Sequence, residues 1–460
     1  MMMLTTTIKP TMAVPSTRHS TQPVKGTLRM GFTVTKSPPA LVSPSQTTPS
    51  GCNLPLSSID RKAAVRVLVD LLLVYERGDQ PTTLLKGALS KALVAYYPVA
   101  GRIVESSKPG ELDVACTGDG VWFVEASADC TLEQVRHLEL PRLLPKDDLL
   151  PLPPPQVDLD CLILLLQVTQ FACGGFVVGV RFSHAVFDGL GAAQFLKAVA
   201  EIARGRPAPT VAPIWSRESI PSPANIPSSP PPSPPQGLPP SFTAFPFVTC
   251  ALDVPADSIN RIKSQCMRQT GRKCSNFDVV TAMLWQCRTR AASLEPAHHV
   301  RLGFATNIRH LLHQVLPQEG GYYGNCVFPV GVTATSARIV SASLVEVVSM
   351  IRDAKERLAA KFLEWVMGEE EEDPYRVPVE YGTCMVADWS RIGFSEVDYG
   401  WGDPVRVAPL NDDNDFIASC IFLRPPAPMQ GVRLWTRCVV KEHLAAFADQ
   451  VMEFAEVLDE

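Results

Sequence analysis

A histidine stands four residues ahead of an aspartate in "SHAVFDG", residues 183–189, a stretch whose residue types could do acid–base chemistry. A neutral imidazole accepts a proton near physiological pH, because its ordinary pKa is about 6.5. A carboxylate at this spacing could orient the ring, or it could cap a helix and take no part in the chemistry. The residues alone leave a further reading open, a hydrogen-bonded core histidine followed by an ordinary helix cap.

The flanking sequence says what must position these groups. Phe176, Val178, Val180, Phe182 and His184 occupy alternate positions, so the spacing predicts a strand whose apolar face ends in the histidine. Leu190, Phe195, Val199 and Ile202 then give a helical stripe, closed by Arg204-Gly205-Arg206-Pro207, and Asp188 falls at the N-cap. The expected local shape is strand, tight turn, helix. Gly189-Leu190-Gly191 imitates a dinucleotide-binding turn, but Gln194 replaces the third glycine and no suitably placed acid follows. The chain has no GxSxG elbow, no P-loop and no HExxH.

Composition narrows the class. The chain has 460 residues, 46% apolar and 19% charged, which predicts two domains and a large core. A net charge of −5 gives no basic field for nucleic acid, so a polyanionic ligand needs a local cationic pocket. The 13 cysteines are odd in number and lack any CxxC, which argues against a disulfide framework or a zinc ribbon and for a reducing compartment. The longest apolar candidate for a membrane span, 161–182, is interrupted by Gln167, Gln170 and Gly174-Gly175.

Residues 1–29 carry nine Ser or Thr, four basic residues and no acid. That composition fits a transit peptide, or an upstream start with Met30 as the working N-terminus. "PSPANIPSSPPPSPPQGLPP", 221–240, has ten prolines and is read as an extended crossover. The expected organisation is therefore an extension at 1–29, a first domain at 30–216, a linker at 217–241 and a second domain at 242–460. "EEEED", 369–373, is read as a solvated loop. Apolar spacing predicts helices at 62–76, 82–97 and 276–292, the last capped by Ser275 or Asn276. It also predicts strands at 161–171 and 175–182, joined by a hairpin at Gly174-Gly175. The class is mixed α/β with a sheet in each half.

"HAVFDG" together with "DYGWGDP", 398–404, resembles the paired HxxxD and DFGWG signatures of the plant BAHD acyl-CoA-dependent acyltransferases. "LPLSSIDR" (54–61), "YYPVAGRI" (96–103), "ATNIRHLL" (305–312) and "GGYYGNCVF" (320–328) are similar to further family blocks, in order, from Met30 to the end of the chain. The sequence looks most like the group with benzyl alcohol benzoyltransferases, taxane acetyltransferases and hydroxycinnamoyl-CoA transferases.

The resemblance implies two chloramphenicol-acetyltransferase-like α/β domains with an active-site tunnel between them. The segment around "DYGWG" would pack back on the first domain. It implies acyl transfer from acyl-CoA to the hydroxyl of a small metabolite through a ternary complex, with His184 as general base. No cofactor is held permanently, and acyl-CoA is a co-substrate. Asp188 would pair with Arg309 and shape the turn, and Asp398, Gly400, Trp401 and Gly402 would be structural. Tyr399 departs from the family's phenylalanine. Trp389 would line the acceptor side, with Ala387 where a hydroxyl residue is common. Ser275 would stand near the CoA phosphates, at a helix N-terminus that suits an anion. Arg288 and Arg290, at the far end of that helix, are open as caps or CoA ligands. The expected enzyme is a cytoplasmic monomer, plastidic if 1–29 is a transit peptide, with no nucleic-acid, membrane or metal partner. Amine N-acyl transfer, or a catalytically silent metabolite-binding relative, are the alternatives.

Overall fold

The computed structural model describes residues 31–223, 244–370, 372–410 and 415–456. The extension at 1–29 and most of the proline-rich crossover lie outside the described residues.

The first sheet runs in the order Val34–Lys36, Val121–Ala128, Leu164–Phe171, Phe176–Ser183, Leu68–Tyr75, Arg406–Pro409, with Ala40–Val42 also on the second of these strands. Val121–Ala128 and Leu164–Phe171 pair in parallel and the other neighbours antiparallel. The hairpin between Leu164–Phe171 and Phe176–Ser183 turns at Gly174, whose φ of +82° an L side chain would resist. Helices Pro81–Ala95 and Gly189–Ala203 cover one face and bury Leu71, Leu73, Val178, Val180 and Phe182.

Residues 62–76 are not the helix their apolar spacing predicts. Ala63–Val65 is a short 3-10 turn and Leu68–Tyr75 is a strand. A near-continuous apolar run satisfies either period, and this one is buried on both faces. Leu71 and Leu73 join the helix-covered core, while Leu72 and Val74 join the core on the opposite side. Asp70, the polar interruption, lies opposite Arg181 on the neighbouring strand and accepts from it at 2.8 and 2.9 Å.

The second sheet runs Cys250–Pro255, Gly431–Arg437, Ala418–Leu423, Thr383–Asp388, His299–Asn307, Val327–Thr335. Its three strands at 299–307, 383–388 and 418–423 are parallel, and the others antiparallel. Asn276–Ala292, predicted as a helix, is its central helix, packed with Ala256–Thr270, Leu344–Glu356 and Lys441–Glu456. The protein is thus a two-domain α/β fold with mixed sheets. The two sheets meet across a shared apolar layer, in which Leu72, Val74 and Val177 of the first pack with Ile421, Leu423 and Trp435 of the second. Arg406–Pro409 comes from the second half of the chain yet pairs with Leu68–Tyr75, so a cut at the crossover does not separate the two sheets. Among the described residues no helix is long and apolar enough to cross a membrane.

Candidate active site

His184 follows directly on Phe176–Ser183, a strand buried on both faces, and is itself half-buried. Its backbone N–H donates to Val67 O at 2.9 Å, and its carbonyl accepts from Asn325 Nδ2 at 2.6 Å. The imidazole Nδ1 is buried with no hydrogen-bond partner. Asp188 caps helix Gly189–Ala203 by accepting from Gly191 N at 2.8 Å. The same carboxylate accepts from Arg309 at 2.8 and 3.0 Å and from Cys326 N at 3.2 Å. Four donors occupy its two oxygens, and none belongs to His184. The arrangement is therefore not a triad, and the carboxylate works on the turn. Arg309 also donates to the carbonyls of Tyr322 and Gly324, which ties the turn to the second half of the chain. Gly191 permits this approach, since a Cβ there would lie 1.9 Å from Tyr323 O.

A second ion pair lies behind the turn, and the sequence reading assigned its members no role. Asp60 and Arg217 are fully buried and pair at 3.0 Å. Arg217 Nη2 donates to Val186 O at 2.7 Å, and its guanidinium stacks over Trp215 at 4.4 Å. Asn325 donates to Asp60 from its backbone at 3.1 Å and its side chain at 2.8 Å. The sequence places Arg217 at the start of the crossover expected at 217–241, whereas the structure buries it behind the turn. Ile214 and Trp215 before it and Ile220 after it are the available signal that this stretch is packed.

The 398–402 loop lies at the other end of the same strand. Trp401 meets Phe176 edge-on at 5.4 Å, and Tyr399, buried, lies 5.4 Å from Tyr75. Phe176 is eight residues before His184, so the loop stands roughly 26 Å from the imidazole at the usual strand rise of about 3.3 Å. Asp398 accepts from Gly400 N at 2.7 Å and Gly402 N at 2.8 Å, and faces Arg204. Partial burial opposes its charge, but these donors and Arg204 outweigh that and hold the carboxyl below its ordinary pKa.

Ser275 caps helix Asn276–Ala292 in a reciprocal box. Its Oγ accepts from Asp278 N at 3.1 Å, and its own N–H donates to Asp278 at 2.8 Å. The hydroxyl proton remains available to a ligand. Ser275, Asn276 and Phe277 line a cavity of about 610 Å³ with Asp388, Ser390, Arg391, Arg424 and Gln430. Lys263 reaches Asn276 at 3.0 Å and Lys355 reaches Asp278 at 2.7 Å, so cations gather at this helix start in a net-acidic chain. Arg288 is buried, held to the carbonyls of Cys438 and Tyr381, and Arg290 donates to Val340 O. Both serve the fold at the far end of the helix.

Trp389 follows the strand Thr383–Asp388 and lies 5.3 Å from Phe394, packed on the helix-covered core of the first sheet and, with Ala387, on the layer between the sheets. Three residues on, Ile392 approaches Gly189, where a Cβ would meet it at 2.8 Å. Ile392 lines a second cavity, of about 540 Å³, with Leu190, Gln194, Arg309 and Tyr322. The 389–392 segment therefore separates the Ser275 cavity from one beside the histidine turn. His184 itself lies outside the walls of both.

Comparison with known proteins defines the class as an acyltransferase. The profile described as the Transferase family matches residues 32–454. A myricetin 3-O-glucosyl 1,2-rhamnoside 6'-O-caffeoyltransferase of Crocosmia x crocosmiiflora is 46% identical over 92% of this chain and 100% of its own. A taxadien-5-alpha-ol O-acetyltransferase of Taxus chinensis is 35% identical over 83% of this chain and 88% of its own. Vinorine synthase shares the fold at a TM-score of 0.70 and 21% identity, over 92% of this chain and 98% of its own. F. sporotrichioides TRI101, complexed with coenzyme A and T-2, does so at 0.63 and 16%, over 86% and 97%. The chain belongs to this transferase family, the BAHD acyltransferases, and is an acyl-CoA-dependent O-acyltransferase.

Proposed function

We propose that the enzyme moves an acyl group from acyl-CoA to a hydroxyl of a small plant metabolite by direct attack, with His184 as the general base. The observation that carries this reading is the mount of His184. A rigid strand ends in a half-buried imidazole, on a turn pinned from both halves of the chain, with no carboxylate on the ring. Nδ1 is buried, so Nε2 is the nitrogen left to take the alcohol proton and return it to the leaving CoA thiolate. The thioester is already electrophilic, so no acyl-enzyme is needed.

The Ser275 cavity, with Arg391 and Arg424 on its wall, is the proposed seat of the CoA phosphates. Structures of the same fold were solved with coenzyme A bound, which supports acyl-CoA as the co-substrate. The caffeoyl donor in the relative's name supports a hydroxycinnamoyl-type acyl group here. A monomeric enzyme of the cytoplasm completes the reading.

The test is thiol release from caffeoyl-, benzoyl- and acetyl-CoA with alcohol and amine acceptors. Turnover with an alcohol is expected, and His184→Ala should lower it roughly 10²–10⁴-fold while acyl-CoA affinity and Tm stay near wild type. Wild-type turnover in that variant sinks the assignment of the base.

A further inference from the structure

We infer that Arg217 and Asn325, locked together by Asp60, are positioning residues that set where the His184 imidazole sits. The inference rests on His184 being the base. A buried turn must find partners for its backbone carbonyls. Here two of them are taken by side chains, His184 O by Asn325 and Val186 O by Arg217. Those two carbonyls bracket the residue that follows the histidine, so their donors fix the path of the backbone that carries the ring.

The donors cannot drift. Arg217 is gripped by both oxygens of Asp60 at 3.1 and 3.0 Å and lies over the rings of Trp215, Tyr322 and Tyr323. Asp60 is held in turn by Ser57 N at 3.0 Å, while its own N–H donates to Ser57 Oγ at 3.1 Å. The backbone opens for the guanidinium at Gly324, where a Cβ would come within 1.5 Å of Arg217 Nη1. A buried ion pair stabilises a core little more than apolar groups of the same shape would. What the planar guanidinium adds is direction, a fork aimed at Asp60 and Val186 O together. The three residues lie far apart in sequence, so the turn is referenced to both halves of the molecule. That suits a base whose placement must hold to a fraction of an ångström.

The experiment compares Arg217→Lys and Asn325→Ser in the wild-type and His184→Ala backgrounds, reading kcat, KM for acyl-CoA and Tm. Lysine keeps a charge for Asp60 but lacks the second arm to Val186 O. Serine removes the donor to His184 O and leaves the Asp60–Arg217 pair in place. Each is expected to lower kcat by roughly 10²-fold with the acyl-CoA KM unchanged, as misplacement by about 1 Å does. On the residual turnover of His184→Ala neither should cost anything further, because both act through that ring.

Equal proportional losses in the two backgrounds would assign these residues to general stability and overturn the inference. So would wild-type kcat in Asn325→Ser, the variant that decides if Arg217→Lys does not fold. Wild-type turnover in His184→Ala alone would remove the base, and this inference with it.

Discussion

At the scale of single residues, the separation of His184 from Asp188 is the point on which the chemistry turns. Asp188 spends its oxygens on one arginine, one cap and one loop amide, so its charge steadies the backbone and leaves the imidazole alone. Asp188→Asn leaves the Arg309 guanidinium without its counter-charge, an effect smaller than the roughly 3–5 kcal/mol of a fully buried pair because the Arg309 side chain is 21% exposed. Urea unfolding and turnover should both fall in Asp188→Asn and in Arg309→Ala, and the double variant should lose less than the sum. Strict additivity would show that the two do not act as a pair. Ser275 predicts a different signature. Ser275→Ala removes a cap worth about 1 kcal/mol and, on the CoA reading, raises KM for acyl-CoA with little change in kcat. Ser275→Thr restores both hydroxyl and cap. A Ser275→Ala enzyme with normal KM would move the phosphates elsewhere.

At the scale of elements, one strand carries two kinds of residue at its two ends. The 398–402 loop is closed by Asp398 and by two glycines in left-handed backbone, Gly400 at φ +114° and Gly402 at φ +99°. Alanine at Gly402 is strained by roughly 1 kcal/mol or more, so Tm should drop. With the loop about 26 Å from His184, kcat of the folded variant should stay within about twofold of wild type. A kcat collapse at unchanged Tm would mean the loop reaches the chemistry after all. Elements whose pattern is unambiguous were legible in the sequence. The 276–292 helix and the Gly174 hairpin fall where cap and turn residues put them. Residues 62–76 were misread because a run of leucines and valines carries no period, and only the strands on either side decide its form.

At the scale of the whole molecule, the legible part of the site was the part with a motif. His184, Asp188 and Arg309 lie in short signatures, and so do Asp60, in "LPLSSIDR", and Asn325, in "GGYYGNCVF", but Arg217 lies in none, and the last three meet only through tertiary packing that no local spacing encodes. The same holds for Glu139, in a first-half loop. It accepts from Arg406 on the returning strand and, at 2.7 Å, from Arg433 of the second sheet, which Asp253 also holds. One carboxylate thus joins three parts of the fold. Burial pushes its pKa up, but Arg433 and Arg406 outweigh this, and the folded-state value lies below the ordinary 4.5. The sign follows: a carboxyl with a depressed folded pKa contributes stability that is fully present above its unfolded pKa and is lost as pH falls through the folded one. Glu139→Gln should therefore be less stable than wild type at about pH 7, and the gap should narrow as pH falls past the ordinary value of 4.5 and close only below the depressed folded-state value, because only the wild type has that contribution to lose. Thermal melts of both proteins across that range measure it. Other carboxyls titrate in both and cancel in the difference, so Tm curves that fall in parallel would show that this junction is not held together by the Glu139 charge.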